Sequence, residues 1–329
     1  MYDLDTSALQ WFTMVPSWIL QDVVVLLLAT ATIGFIIKHE KRPLPVLLEF
    51  FCFIFLYAAV YENLATVMGW YGYGRSIVMV FNVPITVPII EFLFVYTAIH
   101  FCKKIKIPTW TIPLFSGAFG VIADLTLDPL TMTQTAATNE GTIGRWTWFI
   151  SESDASVFDV PIYNFTGWFL LCGYATVFIL LGRYWYKKSG HKKAVALLYP
   201  PLCMLGALAL MVSPLSAFLL WLGPFFKKGG VTEYIMLGLT FAVFFVLLAV
   251  WRGRMREKLS WKRDYIVVLV FGVFHLSNIV FALIGGQFKI LLFSLPFIAL
   301  QMGVIAWGFK SRALPGESAA HLKSKHLAD

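Results

Sequence analysis

Long apolar stretches alternate with short polar gaps along almost the whole chain. Nine of them suit a membrane crossing: residues 18–37, 44–64, 77–101, 110–127, 162–182, 195–222, 231–251, 265–284 and 289–309. A spanning helix needs about 20 mostly apolar residues. In lipid the backbone has no water to bond, so each stretch must satisfy its own N–H and C=O groups as a helix. The fold class this predicts is all-α: a polytopic integral membrane helix bundle of about nine transmembrane helices. The sixth stretch is long and carries Pro214, which predicts a kink or a tilt. The fourth gap, residues 128–161, is far longer than any other. The predicted layout is a single transmembrane domain over residues 1–312 with a long outer loop at 128–161, then a disordered cytoplasmic tail over 313–329.

Charge supplies the orientation. All the Lys and Arg residues fall in the odd-numbered gaps and the C-terminal tail, apart from Arg75, Arg145, Lys227, Lys228 and Lys289. Basic loops stay in the cytoplasm. The expectation is a multi-pass protein of the cell membrane with its N-terminus outside and its C-terminus cytoplasmic. Composition agrees, with 59% hydrophobic residues, 13% charged residues and a mean hydropathy of +0.76. The net charge of +8 is that of loops facing anionic lipid. Membrane lipids are therefore expected partners and nucleic acid is not, even for the basic run from Arg252 to Arg263. The first stretch follows Asp3 and Asp5 with no basic residue, unlike a cleaved signal peptide. Cys52, Cys102, Cys172 and Cys203 make no CxxC, so neither a disulfide nor a zinc site is expected. The oligomeric state is not legible in the chain.

Acidic residues within apolar stretches are the candidate chemistry, because a charge deep in the bilayer normally faces the bundle interior with a partner or a function. Glu49 lies near the inner end of the second stretch, where snorkelling or pairing with the lysines of the first gap is expected. Glu62 lies near its outer end beside Asn63, and Glu91 is deep in the third stretch. Asp124 and Asp128 close the fourth, with Pro129 expected to stop the helix. Their spacing of four puts both carboxyls on one helical face. Two such carboxylates repel when both are ionised, so one is expected to hold a proton, as a general acid must. The competing reading is a helix-end cap that anchors the loop. His275 and Asn278 are expected to make a helix-to-helix hydrogen bond. The loop is rich in rings (Trp146, Trp148, Phe149, Phe158) and forms either an interfacial belt or a cover over a cavity.

Three stretches taken together resemble a known family. They are Tyr61-Glu62-Asn63 with Gly69-Trp70-Tyr71-Gly72-Tyr73; Asn82-Val83-Pro84-Ile85 with Pro88; and Asp124-Leu125-Thr126-Leu127-Asp128-Pro129 with Trp146-Thr147-Trp148 and the run from Val160 to Trp168. Their order is similar to that of the CruF-type carotenoid hydratases over roughly residues 55–185. Residues 131–144 look like an insertion relative to that family, Asp159 replaces a glycine, and Glu91 replaces an aromatic or apolar residue.

The resemblance implies acid-catalysed addition of water to the terminal isopropylidene double bond of an acyclic carotenoid end group. It implies no cofactor and no metal, and a lipophilic carotenoid that enters from the bilayer. The proton donor it suggests is Asp124, with Asp128 tuning it and Glu62 as second choice. Trp70, Tyr71, Tyr73, Trp146, Trp148 and Trp168 would wall the cation; Asn63, Asn82 and Asn164 would position water or a carboxyl; Glu91 would extend the polar network. Rival readings are an acid-initiated membrane terpene or carotenoid cyclase or isomerase, a membrane prenyltransferase and a membrane transporter. The prenyltransferase would need a second acidic motif, and the transporter an internal repeat; neither is evident in the sequence.

Overall fold

A computed structural model describes residues 18–138, 141–150, 154–221, 231–251 and 257–310. Among these, nine helices are long and apolar enough to cross a membrane. They are span 1 (Trp18–His39), span 2 (Pro43–Val67), span 3 (Thr86–Lys104), span 4 (Thr109–Thr131), span 5 (Ile162–Lys188), span 6 (Lys193–Met211), span 7 (Val231–Trp251), span 8 (Tyr265–Ile284) and span 9 (Phe288–Lys310). The protein is an all-α polytopic membrane protein. Spans 1, 3, 5 and 9 each finish on basic residues: Lys38, Lys103 with Lys104, Lys187 with Lys188, and Lys310. The positive ends of alternate helices therefore lie at one end of the bundle, where they also complement the helix dipoles. The expected tail over 313–329 lies outside the described residues.

Three boundaries differ from the sequence expectation. Span 3 starts at Thr86, because the chain before it folds as a tight hairpin of β2 (Met79–Val80) and β3 (Val83–Pro84). Phe81 turns that hairpin in the left-handed region at φ 55. Span 6 ends at Met211, and Pro214 starts a separate short helix, Pro214–Trp221, rather than kinking a long one. A proline suits a helix start, where its missing N–H has no partner to lose. Span 4 runs through Pro129 to Thr131 rather than stopping there, so Asp124 and Asp128 are interior helical residues.

Spans 3 and 4 form the middle of the bundle, 83% buried over their apolar windows, whereas spans 7 and 9 are 17% and 28% buried and face outward. Helices apolar on every face belong in such a core. Span 4 approaches span 5 closely at two glycines. A Cβ on Gly117 would sit 2.6 Å from the Phe169 carbonyl oxygen, and one on Gly120 would sit 2.7 Å from Cys172 Sγ. Small residues permit such contact, which stands in for hydrophobic driving force between helices in lipid. Span 2 carries a six-residue π-helical turn at Phe53–Ala58, a feature that commonly marks functional helices.

Polar groups join the spans at both ends of the bundle. Glu49 is fully buried and takes a two-pronged ion pair from Arg183 of span 5, at 2.8 and 2.6 Å, plus the Tyr199 hydroxyl of span 6 at 2.7 Å. This replaces the expected partners in the first gap, because the helix faces the bundle rather than the basic loop. At the same end His100 meets Asp264 at 2.9 Å. Burial acts to raise the Asp264 pKa, but the His100 hydrogen bond, the Ser260 N–H and the Lys104 charge bring it down to about 2.

The long loop at the other end is folded. β1 (Tyr71–Tyr73) pairs antiparallel with β6 (Trp146–Trp148), placing Tyr71 opposite Trp148 and Tyr73 opposite Trp146. β4 (Thr135–Thr138) and β5 (Gly141–Gly144) form a hairpin over part of the apparent insertion, and β7 (Ser156–Val157) pairs with β8 (Val160–Pro161) just before span 5. This end of the bundle is therefore capped by short strands from two separate gaps.

Candidate active site

The strand pair delivers aromatic rings to one side. Residues alternate faces along a strand, so Tyr71, Tyr73, Trp146 and Trp148 share the inward face while Thr147 is exposed. The two indoles stack with centroids 6.0 Å apart. Tyr71 stands edge-on to Trp148 at 4.5 Å, and Tyr73 tilts against Trp146 at 4.9 Å. Trp148 also meets Tyr163 at the start of span 5. The loop tryptophans are thus part of a buried cluster that covers the bundle, not a belt facing lipid.

Beneath the rings lie four buried carboxyls from three spans. Glu62 is 5% exposed, Glu91 1%, and Asp124 and Asp128 0%. Tyr71 and Tyr73 both donate to Glu62 Oε2, at 2.7 and 2.5 Å. Burial, and next the charge of Glu62, push both phenols far above their ordinary pKa, so they act as donors. Glu91 reaches the Glu62 carboxyl from span 3. Asp124 and Asp128 contact one another on span 4, as the four-residue spacing requires. Asn164, on the first turns of span 5, straddles them: its Nδ2 donates to Asp124 Oδ2 at 2.8 Å and to Asp128 Oδ2 at 2.7 Å. Among the described residues, no donor reaches Oδ1 of either aspartate or Oε2 of Glu91. Two carboxyl oxygens bond only if one of them carries a proton. Four carboxyls so close together and away from the surface repel one another when ionised, and a shared proton relieves that repulsion.

A second polar group lies alongside. Arg145 donates to Gln21 and Gln134 and pairs with Asp22 at 3.3 Å; Asp22 also accepts from Ser76 at 2.5 Å and Thr86 at 2.9 Å. Burial pulls the Arg145 pKa below its ordinary value, and the charge of Asp22 works against this. Gln21 and Asp22 escaped the sequence reading although both are polar residues inside the first apolar stretch, which was the available signal. His275 bonds Gln301 at 2.7 Å and lies 3.3 Å from Thr126, and Asn278 also reaches Thr126. This ties spans 4, 8 and 9 together, in the helix-joining role expected of that pair.

Of the residues singled out in the sequence, Glu62, Glu91, Asp124, Asp128 and Asn164 meet in the carboxyl cluster, with Tyr71, Tyr73, Trp146 and Trp148 over it. Trp168 lines an adjoining cavity. Asn63 and Asn82 lie apart. Asn63 bonds the Ala59 and Val80 carbonyls and accepts from the Asn82 N–H, and Asn82 is exposed at the hairpin tip. The two asparagines fasten the β2–β3 hairpin to span 2. Trp70 packs at the edge of the core, and its carbonyl accepts from the Phe149 N–H.

No curated protein and no solved structure matches the chain. A model of a family described as carotenoid biosynthesis protein matches residues 21–229, a region that holds all four carboxyls, the aromatic strands and Asn164. That match covers well over half of the 329 residues. The chain belongs to the carotenoid biosynthesis protein family.

Proposed function

We propose that this protein hydrates an acyclic carotenoid end group, adding water to its terminal isopropylidene double bond by acid catalysis. The observation that carries the reading is the convergence of Glu62, Glu91, Asp124 and Asp128 in one buried cluster under a roof of electron-rich rings. An alkene is a very weak base, so its acid must be held protonated where water does not compete for the proton. Asn164 fixes Oδ2 of both aspartates and leaves Asp124 Oδ1 without a donor, one helical turn deeper than Asp128. Asp124 is the proposed donor.

The proton goes to the less substituted alkene carbon, where the π pair becomes the new C–H bond. The other carbon is left as a tertiary cation. Facing Tyr and Trp rings stabilise such a cation by about 0.5–2 kcal/mol each. Water forms the C–O bond and returns a proton to the Asp124 carboxylate, so the acid is restored and no co-reactant is consumed. The substrate is a long apolar rod that enters from the bilayer, and with the N-terminus outside, the cluster lies toward the outer face of the cell membrane.

Expression in a host that makes acyclic carotenoids tests this. The expected pigment is heavier by the mass of one water. Unchanged mass with altered retention would instead support an acid-initiated cyclase or isomerase, and unchanged pigments would overturn the reading.

A further inference from the structure

A cavity lies beside the carboxyl cluster among spans 1, 3, 4, 5 and 8. Gln21, Thr86, Arg145, Trp146, Ser277 and Asn278 are among its polar lining residues. The cavity volume is about 40 Å³, against roughly 10–15 Å³ for a single water. It suits a few water molecules. Tyr73 connects it to the cluster, since the residue lines the cavity while its hydroxyl sits on Glu62.

Two of the lining residues carry buried donors that no acceptor among the described residues reaches: Gln21 Nε2 and Trp146 Nε1. Gln21 is 4% exposed and Trp146 5%. The Gln21 amide orientation is fixed by chemistry, because its Oε1 already accepts from Arg145 and Gln134. Leaving a buried donor unsatisfied costs about 1–3 kcal/mol, so the pair calls for an acceptor atom. Residues that carry acceptors line the same space. Thr86 spends its hydroxyl proton on Asp22 and Ser277 spends its own on the Phe274 carbonyl, which leaves lone pairs on both oxygens. Donors and acceptors together around a small volume are what a water requires.

We infer that this cavity holds the water that captures the cation, with Gln21 as its principal positioning residue. This rests on the hydration reading above. The carboxyl cluster delivers the proton, and the cavity delivers the oxygen. When the water's lone pair forms the C–O bond, its surplus proton goes back to the carboxyl that protonated the alkene, so the exchange balances.

The two steps separate in D₂O. Membranes bearing the protein are incubated with an acyclic carotenoid, and both hydroxylated product and deuterium in the recovered alkene are measured. Deuterium enters the alkene when the acid protonates it and the cation sheds a proton before water adds. Gln21→Glu keeps the acceptor toward Arg145 and Gln134 but removes the donor. Ser277→Ala removes one lining hydroxyl and serves as a second variant if the first fails to fold. Each is expected to raise the ratio of exchange to hydration about fivefold, the worth of one neutral hydrogen bond. A wild-type ratio in the folded variants would overturn the inference while leaving the hydration reading intact. A wild-type protein that neither exchanges nor hydrates would remove both.

Discussion

Tyr73 donates its phenolic hydrogen to Glu62 across 2.5 Å, tying a three-residue strand outside the spans to a carboxyl inside the bundle. The loop end of the protein is thereby coupled to its buried acids. Tyr73→Phe keeps the ring against Trp146 and removes only this bond. Hydration is expected to fall about tenfold, as for loss of one hydrogen bond to a charged group, with expression unchanged. Pigment analysis against protein level checks it; full activity would confine Tyr73 to packing.

Asp124→Asn preserves the shape of the proposed donor but leaves an amide that does not protonate an alkene. Turnover is expected to vanish while membrane insertion persists. Mass spectrometry of pigments from cells with normal protein levels decides the matter, and any hydrated product at wild-type rate removes Asp124 from the mechanism.

The ion pair of Glu49 with Arg183 lies at the opposite end and is expected to serve stability. Arg183→Ala strands a buried carboxylate, which typically costs about 3–5 kcal/mol. Pairing it with Glu49→Gln should recover part of the loss. Thermal unfolding of the purified protein in detergent measures both; equal stability of single and double variants would contradict the pairing.

Asp264 provides a pH signature. Its folded pKa of about 2 lies below the ordinary value of about 3.9 for an unfolded aspartate. A lowered acid favours the folded state at pH above the unfolded value, and that contribution fades as pH falls toward 2. The melting-temperature gap between the wild type and Asp264→Asn should therefore hold above about pH 5 and narrow below pH 4. A gap that widens on acidification would refute the assignment.

Orientation is tested at Thr147, which is exposed on the strand-capped end, and at Lys188, which is exposed at the basic end. An impermeant thiol reagent applied to intact cells should label Thr147→Cys above background and spare Lys188→Cys. The reverse pattern would place the carboxyl cluster toward the cytoplasm.

Much of the cluster was legible because a carboxyl in an apolar stretch is conspicuous, and the four-residue spacing of Asp124 and Asp128 survives any tertiary arrangement. Tyr71-Gly72-Tyr73 and Trp146-Thr147-Trp148 were legible as motifs and as alternating patterns, but not as partners. About seventy residues and two spans separate them, and nothing local specifies that pairing. Asn63 and Asn82 were misleading because an amide near an acid suggests catalysis, whereas the hairpin they fasten is visible only when folded. Pro129 suggested a stop, but in the last turn of a helix a proline forfeits only one hydrogen bond.

By itself the sequence determined the nine spans seen among the described residues and the alternation of basic ends, since lipid imposes helix length and charge placement residue by residue. Tertiary structure alone decided that Arg183 answers Glu49, that Asn164 straddles two aspartates, and that Gln21 and Trp146 share one cavity. Those contacts join side chains from different helices. Their geometry depends on how the helices rotate and pack, which no local rule of the chain encodes.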